Sequence, residues 1–185
     1  AEGGLLGWEV AMREDGEEEG REGEKREGGG DRSGQARIYE RDGASWVKVG
    51  ADIDGEAAGD LCGCSVALSA DGGTAIIGAP DNDGNGDRSG HARIYEWDGA
   101  SWVQVGADID GEAAVDQSGW SVALSADGGT AIIGATGNDG NGDRSGHARI
   151  YEWDGTSWVQ VAADIHGKAA GHFSALSVAF SADGY

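Results

Sequence analysis

His91 to Gly146 reads HARIYEWDGASWVQVGADIDGEAAVDQSGWSVALSADGGTAIIGATGNDGNGDRSG, and the rest of the chain follows as copies of it in one register. The unit is 56 residues long. Gln35 to Gly90 repeats it with nine differences, and His147 to Tyr185 repeats it up to the last residue. Residues 1–34 align without a gap to 113–146, so that Gly7-Trp8 falls on Gly119-Trp120 and Val10-Ala11 on Val122-Ala123. A fixed period of this size marks a repeat architecture, and the fold question becomes what one unit is.

Four runs with strand character lie in the unit, each bounded by turn residues. Ser121 to Ser125 places Val122 and Leu124 on one face and small residues on the other, the alternation of a strand packed on one side. Thr130 to Ala135 (TAIIGA) is apolar on both faces and reads as a strand buried on both. His91 to Trp97 and Ser101 to Ala107 alternate again. Ala-Asp-Gly-Gly and Asp-Gly between the runs supply the tight turns of two hairpins. The expected fold is all-β: four-stranded antiparallel β-propeller blades on a 56-residue repeat, about three of them, forming an incomplete propeller. No window sustains a helical period.

Residues 1–34 then form a degenerate partial blade with a charged insert at 17–30. Residues 35–90, 91–146 and 147–185 are repeats one, two and a truncated three. In the insert, EEEGREGEKRE at 17–27 occupies the slots of GTAIIGATGND, and so many charges do not enter a sheet interior. Loop, disorder or a marginal helix is expected there. Three blades fall short of the four to eight that close a ring. The chain therefore reads as part of a longer protein, with self-association through unpaired blade edges as the alternative.

Composition excludes several function classes. Thirty-four acidic against 13 basic residues give a net charge of −21. Such a field repels nucleic acid and anionic membrane surfaces, and no apolar run is long enough to insert into a membrane. A signal-peptide pattern is absent from the first residues, which begin inside a repeat. Chain reversal at each strand gathers the tight turns on one side of the propeller. The longer, acidic loops at 81–90 and 108–119 lie on the other, which is the expected recognition surface.

Gly63 to Pro80, GCSVALSADGGTAIIGAP, resembles the FG-GAP motif of integrin alpha-chain propellers and their relatives, with Gly78-Ala79-Pro80 as the GAP element. Gly119-Trp120-Ser121 stands where that family has Phe-Gly-x-Ser, and Thr136 replaces the proline in the next copy. The resemblance implies a propeller that is commonly extracellular or on the cell surface and serves adhesion or binding, here of a protein or glycan ligand; with no nucleophile and base pair at informative spacing, no enzymatic activity is expected. Kelch blades share the spacing of Tyr95, Asp98 and Trp102 and imply the same architecture.

Several constellations invite chemistry. Asp81, Asp83, Asn85 and Gly86 match the first half of a calcium loop, with Asp87 beside them. Oxygen ligands at alternate positions and a following glycine let the chain wrap a hard cation. The second copy keeps Asp139, Asn141 and Asp143 but has Gly137 in place of Asp81. Position 12 of the loop is Ala92 rather than Glu, so a solvated Asp/Asn/Gly turn is the other reading. Ser69-Ala70-Asp71-Gly72-Gly73-Thr74 comes close to the Asp-box of sialidase-type propellers, the enzymatic alternative. The arginines, however, recur once per blade at Arg37, Arg93 and Arg149, as structural ion pairs would. A purely structural repeat array is a third reading.

Three expectations concern single residues. His91 and His147 are expected to cap strand starts rather than to ligate a metal, which needs several ligands brought together, and His166 and His172 to carry no motif. Cys62 and Cys64 are expected on one face of a strand. Tyr95, Trp97 and Trp102 are expected to pack between blades.

Overall fold

The computed structural model describes residues 8–12 and 32–181, the first of these segments as backbone alone. The described residues contain strands and no helix. Strands β1 (Trp8–Met12), β2 (Gln35–Asp42), β3 (Ser45–Lys48) and β4 (Ile53–Asp54) form the first sheet. Strands β5 (Ser65–Leu68), β6 (Thr74–Ala79), β7 (His91–Trp97), β8 (Trp102–Gln104) and β9 (Ile109–Asp110) form the second. The third comprises β10 (Ser118–Leu124), β11 (Thr130–Ala135), β12 (His147–Trp153), β13 (Trp158–Gln160) and β14 (Ile165–His166).

All neighbouring strands are antiparallel, in the orders β5-β6-β7-β8 and β10-β11-β12-β13. The short β9 and β14 continue the outer edge, each pairing with the start of the strand that the preceding outer strand also pairs. The second and third sheets thus take their two inner strands from one copy of the repeat and their outer ones from the next, and in the first sheet β1 precedes the outer strands of the next copy. The three sheets are successive blades of an incomplete propeller.

Period-2 alternation explains how the blades stack. On β6 (TAIIGA), Ala75, Ile77 and Ala79 belong to a core with Ala36, Ile38 and Ile53 of the first blade. Ile76, with Ala92 and Ile94 of β7, belongs to a second core with Val122, Leu124 and Ile133 of the third blade. A strand with one apolar face would leave one of the two junctions dry of partners; TAIIGA serves both, because successive side chains point to opposite faces. Ile76 and Ile77 are almost fully buried, at 0 and 1% exposure.

Glycine lets neighbouring blades meet backbone to backbone. In β10 the register shifts between Ser118 and Ser121, which bulges Gly119-Trp120 out of the ladder. Gly119, at φ +85°, rests on Gly78 of β6, and a Cβ on Gly78 would fall on the Gly119 carbonyl oxygen. The motif glycines of adjacent blades therefore fit because neither has a side chain.

Two local expectations are corrected. Sequence alignment equates residues 8–12 with the innermost strand at 120–124, yet β1 pairs directly with β2 in the register Val10↔Ile38. That is the register of Ile132↔Ile150 between β11 and β12. β1 thus occupies the slot held by TAIIGA elsewhere. The aligned occupant of that slot is the charged stretch at 17–27, which lies outside the described residues. The second correction concerns the cysteines. Gly63 between them has φ +86°, which turns the chain out of strand geometry, so Cys62 is buried while Cys64 is exposed. Burial raises the Cys62 thiol pKa above its ordinary range.

Candidate functional site

The tight turns lie at one end of the blades and the long loops at the other. Ser69-Asp71-Gly73 builds its hairpin from side chains: Ser69 Oγ donates to Asp71 Oδ1 at 2.7 Å, and Gly73 N donates to the same oxygen at 2.9 Å. The next copy repeats this with Ser125, Asp127 and Gly129. The Asp-box-like segment therefore accounts for its polar residues as a turn. Ala70 N reaches Ala126 O at 2.9 Å, joining the turns of adjacent blades.

At the opposite end, the loop after β6 locks to the segment after β9. Gly111 N donates to Gly90 O at 2.7 Å, Val115 N to Asp87 O at 2.8 Å and Ser118 N to Ser89 O at 2.9 Å. Asn85 Nδ2 bridges the two segments by donating to Gly111 O at 2.8 Å and Glu112 O at 3.2 Å. Buried Asn82 donates to Asp60 Oδ2 at 3.1 Å and accepts from Gly84 N at 2.8 Å. The third blade repeats the scheme, with Asn141 Nδ2 to Gly167 O at 2.8 Å and Gly171 N to Asp143 O at 2.8 Å.

Within this scaffold the residues of the calcium-like loop face different protein partners. Asp81 Oδ1 accepts from Gln117 Nε2 at 3.3 Å, and Asp83 Oδ1 accepts from Arg88 N at 2.8 Å. Asp87 Oδ2 lies 3.9 Å from Arg88 Nε. Asp139 accepts from Arg144 N at 2.7 Å, as Asp83 does from Arg88. Asp83, Asp87, Asp139 and Asp143 stay exposed. Among the described residues, the His, Cys, Asp and Glu side chains that bring three ligand atoms within 4.8 Å of one another are Glu56-His91-Asp108 and His147-Asp164-His166.

Those two histidine clusters escaped local sequence reasoning. His91 is 1% exposed, and its Nδ1 lies 3.5 Å from Asp108 Oδ2 and 3.9 Å from Glu56 Oε2. Its Nε2 has no hydrogen-bond partner. Burial, then the Arg93 guanidinium, hold the His91 imidazole below its ordinary pKa, against the opposing pull of Asp108, Glu56 and Asp110. His147 is fully buried, with Nδ1 3.5 Å from Asp164 Oδ2 and 3.8 Å from Glu112 Oε2. Neither of its ring nitrogens has a hydrogen-bond partner, so it caps nothing. Its acidic neighbours lie 17 and 35 positions away along the chain, too far for any spacing motif to register.

Among the recurring arginines, Arg37 pairs with Asp52 of its own blade at 2.8 Å, whereas Arg93 and Arg149 reach the preceding blade. Arg93 Nη2 donates to Asp54 O at 2.8 Å while its guanidinium lies 5.7 Å over the Tyr95 ring. Arg149 does the same with Asp110 O at 2.7 Å and Tyr151 at 5.5 Å. Burial pushes the Tyr95 phenol up to about 12. Trp97 and Trp102 pair across the hairpin with centroids 5.5 Å apart, and Trp102 Nε1 donates to Val49 O of the preceding blade at 2.9 Å. A cleft beside them is lined by Ala51, Asp52, Asp54, Tyr95, Ser101 and Trp102.

Stacked antiparallel sheets, buried glycine contacts at the blade junctions and long loops gathered at one end define a β-propeller-type repeat domain. The FG-GAP repeat family model matches residues 49–95 and 107–151. The chain belongs to the FG-GAP repeat proteins. Comparison with curated proteins returns no match. Among the described residues, no helix is long and apolar enough to cross a membrane.

Proposed function

We propose that this chain is a non-enzymatic recognition domain whose acidic long-loop face binds a protein or glycan ligand at the cell surface or outside the cell. The observation that supports it most is the interlocking of the loops at 81–90 and 111–117, repeated in the third blade, which holds exposed carboxylates on a rigid frame. Rigid display lowers the ordering cost of binding. The net charge of −21 favours a ligand with a basic patch and speeds its encounter. Weak calcium binding at Asp81, Asp83, Asn85 and Asp87, and at Asp139, Asn141 and Asp143, belongs to the same reading, with the ion bridging loop oxygens to the ligand.

The test is binding of the chain to panels of basic peptides, acidic peptides and neutral glycans, with and without calcium. A quadruple variant, Asp83→Asn, Asp87→Asn, Asp139→Asn and Asp143→Asn, serves as comparison. The proposal expects at least tenfold weaker binding by the folded variant. Equal binding by both proteins, or no binding to any panel, contradicts it.

A further inference from the structure

Comparing blades isolates one position where the third changes chemistry. β14 carries His166 where β9 carries Asp110 and β4 carries Asp54. Strand register sets His166 directly opposite His147, within side-chain reach across the ladder. The two rings lie with centroids 5.8 Å apart and planes tilted by 47°.

Three further observations meet at this pair. His147 is fully buried with both ring nitrogens unpartnered, an arrangement rare in folded proteins because an unsatisfied buried polar group is costly. Asp164 directs Oδ2 at both rings, 3.5 Å from His147 Nδ1 and 4.0 Å from His166 Nε2. Its Oδ1 accepts from Gln160 Nε2 at 2.7 Å, which fixes the direction of the carboxylate. Glu112 Oε2 stands 3.8 Å from His147 Nδ1 and adds negative charge beside the buried ring. A tetrahedral zinc ion with bonds of about 2.0–2.1 Å separates its ligand atoms by about 3.3 Å. Small side-chain shifts therefore convert the observed spacing into coordination.

We infer that His147, Asp164 and His166 form a three-ligand binding site for a divalent cation of the zinc class, which leaves a fourth position for water or another donor. Two imidazole nitrogens with a carboxylate oxygen suit zinc and its transition-metal neighbours, whereas calcium takes six to eight oxygens. Arg149, 4.0 Å from Glu112, offsets part of that carboxylate's charge and leaves Asp164 as the main counter-charge. Gly140 makes the room: a Cβ there would run into the His166 ring. The second blade has His91, Glu56 and Asp108 but Asp110 in place of the second imidazole, so it binds the same metal more weakly. The site adjoins the long-loop face proposed above, through Glu112 and Gly140, but its test reads metal binding rather than binding of a protein or glycan.

The test is titration of the untagged 185-residue chain with cobalt(II), followed by displacement with zinc. One equivalent is expected to produce a tetrahedral-type visible absorption that zinc abolishes. His166→Ala, at a side chain 39% exposed, and His147→Gln, which installs the residue that Gln35 provides in the first blade, are each expected to weaken binding at least 30-fold. Their circular dichroism verifies that they fold. His172→Ala, at an exposed site, is expected to leave binding unchanged. Absence of the cobalt absorption, or unchanged affinity in folded His166→Ala, overturns the inference.

Discussion

His91 shows how one side chain links burial to pH. Its imidazole is held below the ordinary value by burial and by Arg93, with Asp108, Glu56 and Asp110 opposing. In the unfolded chain the same histidine takes a proton near pH 6.5. Between the two values the unfolded state binds the extra proton, so this residue's stabilising share is present at neutral pH and is lost as pH falls below about 6.5. His91→Gln copies Gln35 of the first blade and is expected to flatten, though not abolish, the fall in melting temperature between pH 7.5 and 5.5, measured with a chelator present. An unchanged slope contradicts this. Gly78 makes the steric counterpart. Gly78→Ala forces a methyl onto the Gly119 carbonyl and is expected to cost at least about 1–3 kcal/mol in chemical denaturation, the usual range for overpacking.

At the scale of elements, β6 contributes to both blade junctions. Ile77→Ala opens the junction with the first blade and Ile76→Ala the junction with the third. Each is expected to cost about 2–5 kcal/mol. Hydrogen exchange separates them: Ile77→Ala should expose β2 and Ile76→Ala should expose β10. Equal loss of protection at both junctions in either variant contradicts the division of faces. The strands themselves were legible in the sequence because alternation and Asp-Gly turns are local signals, and TAIIGA announced its burial on both faces. Cys62 and Cys64 were misread because nothing local reveals that Gly63 takes a positive φ. β1 was misplaced because alignment equates it with 120–124, whereas its pairing with β2, Val10↔Ile38, is set by the sheet and not by position in the repeat. The histidine clusters were invisible for another reason. Their ligands come together only when the outer strand returns to the start of the preceding one, as His147↔His166 does.

The whole molecule carries a net charge of −21, and its acidic loops crowd one end. Mutual repulsion among these carboxylates works against the folded state and is screened by salt. The melting temperature is therefore expected to rise between 10 and 200 mM sodium chloride; a fall would show that attractive surface pairs dominate instead. The calcium-like loops, the histidine site and the acidic face all depend on blades that stack through opposite faces of shared strands. That claim is tested most directly by methyl nuclear Overhauser contacts in the isoleucine- and leucine/valine-labelled chain. The account predicts that Ile77 contacts Ile38 of the first blade while Ile76 contacts Val122 or Leu124 of the third. Contacts from both isoleucines to the same blade, or from neither to any neighbouring blade, would contradict it.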